Sequence, residues 1–76
     1  MSELSAEDHW LIAEVEEIMA EDVHGARSLI CLFSSALNLG WEDKAILYRK
    51  QLRAYVARRK MGDKVTMDEV RRAITE

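Results

Sequence analysis

The sequence predicts a small all-α bundle, and three observations predict it. None of the 76 residues is proline, so no helix interior has to absorb a missing amide. Apolar residues recur at three- and four-residue spacing along most of the chain, which places them on single helix faces. The three glycines, Gly25, Gly40 and Gly62, are spaced like punctuation between helices. The length accommodates three main helices plus a short C-terminal helix, as a single domain over residues 1–76 with one core.

The first helix opens at Ser5-Ala6-Glu7-Asp8, a hydroxyl that caps free amides followed by acids where the helix dipole favours them. Leu4, Leu11, Val15, Ile18 and Met19 form its apolar face. Its polar side is acidic, with Glu7, Glu14 and Glu21 nearly in line and Glu3 and Glu17 beside them. A break is expected near His24-Gly25, because glycine ends helices well and histidine suits a helix C-terminus. The alternative is one continuous helix, since the apolar stripe keeps its phase across Gly25.

The second helix is read over Ala26 to Leu39 and is expected to be the most buried element, with Cys31 as a small core residue. Asn38-Leu39-Gly40-Trp41 is its stop, Gly40 taking the left-handed conformation. The third helix runs from Glu42 to about Met61. Its main apolar stripe is Ala45, Tyr48, Leu52, Tyr55 and Val56, and a second contains Ile46, Leu47, Ala54, Ala57 and Met61, which suggests two neighbours. Gly62-Asp63 ends it. Thr66-Met67-Asp68-Glu69 is a capping box for the last helix, which buries Val70 and Ile74, with Met67 and Ala73 beside them.

The formal charge of −3 hides an asymmetry. Residues 1–43 hold ten acids against Arg27 alone, a charge of −9, whereas residues 44–76 hold ten bases against four acids, a charge of +6. The simplest reading is that the halves attract each other, within one chain or between two.

Several function classes find little support. The longest apolar run, Leu29 to Phe33, is far short of the roughly 20 residues that cross a bilayer. The acidic start has no apolar stretch behind it, so a cytoplasmic location is expected. Catalysis needs convergent reactive groups, and two separate histidines and one cysteine without a neighbouring base do not supply them. No catalytic residue, metal site or cofactor is expected, because Glu21, Asp22 and His24 lack a further histidine or cysteine at ligand spacing.

The leading expectation is a non-enzymatic protein–protein interaction module: a small regulator, inhibitor or adaptor that binds another protein. Its docking residues would be Trp10, which lies off the apolar stripe, with Glu7, Glu14 and Glu17 around it. A homodimer is also expected, because so short a chain buries only about 60% of its unfolded surface. Phe33, Leu37, Tyr48, Leu52 and Tyr55 would form the dimer seam or the core.

The alternative is a helical nucleic-acid binder using Arg49, Lys50, Arg53, Arg58 and Lys60, from a stretch with seven bases and no acid. Ala36, Leu39, Gly40, Trp41 and Ile46 fit part of a helix-turn-helix pattern, which Ser35 and Arg49 break. On a helical projection only Arg49, Arg53 and Lys60 form a tight row, so this reading ranks second.

Overall fold

A computed structural model describes residues 5–75; Glu3 and Leu4, read above as part of the first helix, lie outside them. Four α-helices, α1 (Ala6–Ile18), α2 (Val23–Leu39), α3 (Glu42–Lys60) and α4 (Met67–Ala73), form an all-helical bundle, with no strand among the described residues. The Ser5 hydroxyl caps α1 by accepting from the Asp8 amide at 3.1 Å. At the other end α1 carries Glu14, Glu16 and Glu17 and no base in its last turn, the wrong charge for the negative end of a helix dipole. Side chains of α3 correct this, as described below.

The break between the first two helices comes earlier than its glycine signal. A 3-10 turn over Ala20–Asp22 separates α1 from α2, and Gly25 lies inside the first turn of α2 rather than at a helix end. Gly25 serves close packing instead of backbone reversal. A Cβ on it would lie 2.9 Å from Asp22 Oδ1 and 3.5 Å from Met67 Cβ. The same Asp22 carboxylate accepts the Met67 amide at 2.6 Å and so satisfies a free donor at the start of α4. His24 consequently lies at the beginning of a helix, exposed, not at the end of one.

The other two glycines end helices as their positions predict. Gly40 has φ 77°, and the amides of Gly40 and Trp41 reach back to Leu37 and Ala36. Gly62 has φ 93°, with the amides of Gly62 and Asp63 on Arg59 and Arg58. The capping box is complete: Thr66 accepts from the Glu69 amide at 3.2 Å and Glu69 accepts from the Thr66 amide at 2.9 Å.

The core draws on every helix: Leu11 and Val15 from α1, Leu29 and Phe33 from α2, Leu52 and Tyr55 from α3, Met67 and Val70 from α4. Both α2 and α3 touch every other helix, and α3 makes the more extensive contacts. One side of α2 remains open, and Cys31 is exposed there rather than buried. Its position in an apolar run misleads because Leu29 and Phe33, two residues either side, take the core-facing angles. The second stripe of α3 is likewise only partly covered: Leu47 and Ala54 are half-buried, whereas Ile46, Ala57 and Met61 are exposed.

Two arginines of α3 hold α1 in place. Arg49 donates Nε to Asp8 Oδ1 at 2.9 Å and Nη2 to Asp8 Oδ2 at 3.1 Å, with its guanidinium 5.3 Å from the Phe33 ring centre. Arg59 donates to the Ile18 carbonyl at 2.6 Å and to the Val65 carbonyl at 3.1 Å, and lies 5.1 Å from the Tyr55 ring centre. Asp8 to Arg49 and Ile18 to Arg59 have the same sequence separation, so α1 and α3 run parallel. The tight corner at Gly40 turns α3 back along α2, giving an up-down-up order. Helix α4 returns along α3, where Gln51 Nε2 donates to the Ile74 carbonyl at 2.5 Å. Tyr55 is fully buried; burial, then the charge of Asp22, pushes its hydroxyl up to about 12.

Asp8 is 4% exposed, and its hydrogen bonds to Arg49 outweigh burial and hold its carboxyl below the ordinary 3.8. A carboxyl with a lower pKa folded than unfolded stabilises fully above its unfolded value, and that stabilisation is lost as pH falls through the folded value. Asp8→Asn is expected to destabilise the protein by about 2 kcal/mol at neutral pH. In urea melts, the gap between wild type and variant should close as pH falls below about 4.

Alanine ordinarily stabilises a helix over glycine by about 1 kcal/mol. Gly25→Ala is expected to do the reverse, destabilising by about 1 kcal/mol, because the methyl group displaces Asp22 from Met67. In an Asp22→Ala background the same change should become stabilising, a reversal that a double-mutant cycle reads directly.

Candidate protein-binding surface

Trp10 is 72% exposed, as its place off the apolar stripe of α1 predicts. The packing that puts Leu11 and Val15 inward turns Trp10 to the rim of a groove between α1 and α3, of about 370 Å³. Glu7 and Glu14 line one wall, Arg53 and Val56 the other. On its far side Trp10 borders a second shallow hollow with Ala6, His9 and Ala13. The indole therefore stands between two open hollows.

The four acidic-helix residues singled out by sequence share one surface but not one electrostatic state. Glu14 accepts from Lys60 at 2.6 Å, so its charge is largely answered within the chain. The hydrogen bond and charge of Glu14, with Glu17 behind them, hold the Lys60 ammonium above its ordinary value. Glu7 and Glu17 are exposed and form no salt bridge among the described residues. Arg53 faces Trp10 across the groove and likewise has no ion pair among the described residues. The docking set read from sequence omitted it, although a base one helix away from Trp10 is visible only once α1 and α3 are placed side by side.

The basic residues of the alternative reading do not gather on one face. Arg49 is bound to Asp8, Arg58 to Asp63 at 2.8 Å and Lys60 to Glu14. Lys50 borders a different hollow, beside Ile46 and Leu47, and Arg53 stands at the Trp10 groove. Phe33, Leu52 and Tyr55, offered as dimer seam or core, are fully buried within the single chain, while Leu37 and Tyr48 are half-buried against that core.

Sequence reasoning also missed the structural weight of Asp8 and Arg59. Asp8 carries a readable signal: it falls on the same helix face as Leu11 and Val15, where a charge needs a partner. Arg59 has none, because its acceptors are backbone carbonyls. Among the described residues no three histidine, cysteine or carboxylate side chains converge as a metal site, and no helix is long and apolar enough to cross a membrane. Comparison with family models, curated proteins and solved structures gave no match.

Proposed function

We propose that this chain is a non-enzymatic protein–protein interaction module, a small regulator, inhibitor or adaptor that works in the cytoplasm as a homodimer. The observation that carries the reading is Trp10, 72% exposed on a folded helix with Arg53 across a groove from it. Tryptophan and arginine are the residue types that most often dominate binding energy at interfaces, because each combines a large contact area with a directional polar group. Leaving an indole in water forgoes a burial worth roughly 2 kcal/mol, so its exposure costs the free protein a contact that a partner can restore. Glu7 and Glu17 flank it and favour a partner surface that is basic around an apolar recess.

Trp10→Ala is expected to leave the helical circular dichroism and the melting midpoint nearly unchanged, because the side chain supports little of the core. Pull-down from native lysate should then lose a protein that the wild-type chain captures, with affinity reduced at least roughly tenfold. Unfolding of the variant, or equal capture by both forms, would remove Trp10 from the site. Salt-dependent retention on heparin and a mobility shift with duplex DNA or RNA would instead favour the basic third helix as a nucleic-acid surface.

A further inference from the structure

We infer that a second copy of this chain docks on the open side of α2, with the two α2 helices antiparallel across a two-fold axis near Ser35. The inference rests on the dimeric part of the reading above and not on Trp10. Residues 28–41 contain no charged side chain, although a third of the whole chain is charged. Half of this stretch faces the core, but Ser28, Cys31, Leu32, Ser35 and Leu39 do not, and Leu39 is 60% exposed. His24, Arg27, Ser28, Cys31, Leu32 and Ser35 border a shallow hollow of about 510 Å³ along that side.

Symmetry makes the absence of charge informative. In a two-fold dimer each patch meets its own copy, so charges near the axis face their equals. The outer side of α1 would set glutamates against glutamates, and that of α3 would set Lys50 against its own copy. Pairing the acidic side of one copy with the basic side of the next is a head-to-tail contact, which builds rings or open chains and not a two-fold dimer. The outer side of α2 avoids both outcomes, and its small residues Ser28, Cys31 and Ser35 let two helices approach closely.

The charges that do flank the face are complementary in this register. Arg27 lies eight residues before Ser35, about 12 Å along the helix, whereas α2 ends four residues, about 6 Å, after Ser35, with Glu42 and Asp43 opening α3 just beyond the Gly40 corner. Antiparallel pairing centred on Ser35 therefore sets Arg27 just past the end of the second copy's α2, with its long side chain in reach of the last carbonyls and of the corner that carries exposed Glu42 and Asp43. A cation there answers both the carbonyl end of the helix and the carboxylates. A single helix face is smaller than the roughly 800 Å² per partner of a standard interface, so association depends on concentration.

Sedimentation equilibrium tests this. The wild-type mass should rise toward twice that of the chain as concentration increases. Ser35→Arg, which puts like charges on the axis at an exposed position, should weaken association at least tenfold with unchanged circular dichroism. Cys31→Ser combined with Ser35→Cys should oxidise to a disulfide-linked dimer, whereas the wild-type Cys31 pair, offset along the helices, should resist direct oxidation. Trp10→Ala should dimerise like wild type, which separates this face from the partner site. A wild type that stays monomeric throughout overturns the proposal. So does a dimer that Ser35→Arg leaves intact and that Ser35→Cys fails to cross-link, which would place the contact elsewhere.

Discussion

The arrangement of this protein depends on the register between α1 and α3, and two arginines set it. Arg49 grips both oxygens of Asp8 near the start of α1, and Arg59 takes the Ile18 carbonyl at its end. Apolar packing alone would tolerate some sliding of one helix along another, since hydrophobic contact is not directional. A bidentate guanidinium–carboxylate pair and a hydrogen bond to one chosen carbonyl are directional, and together they fix both ends. Each arginine also lies over a core ring, Phe33 or Tyr55, so polar register and apolar packing fall at the same points.

This use of charge accounts for much of the asymmetry along the sequence. The last turns of α1 are acidic, which its own dipole disfavours, and Arg59 and Lys60 arrive from α3 to answer them. Asp8 and Glu14 are likewise paired with bases of the other half. The acidic and basic halves thus meet in part inside one chain. Among the surface features left over are Glu7 and Glu17 on the Trp10 side of α1, Arg53 across the groove, and an uncharged strip along α2. The proposed partner site and the proposed dimer face lie on different helices.

The helix ends that residue chemistry controls locally were legible. Ser5, Gly40, Gly62 and the Thr66–Glu69 pair each act on backbone groups within a few residues, so their roles follow from sequence position. The exposure of Trp10 was legible too, because the angle of a residue relative to the apolar stripe is a property of one helix. Gly25 was misread for the complementary reason. Its role comes from Asp22 and from Met67, the latter more than forty residues away, and no local pattern announces a carboxylate or a side chain arriving from elsewhere.

The sequence by itself determined an all-helical chain, most of its helix ends and the inward faces of its helices, because these depend on period and on contacts within a turn or two. Tertiary structure decided which helix is central, where the first break falls, which side of α2 stays open, and which bases are already engaged. Those outcomes depend on pairs such as Asp8 with Arg49 and Ile18 with Arg59, each separated by 41 residues. A charge pattern states how many partners are available; only the packed helices state which of them are within reach.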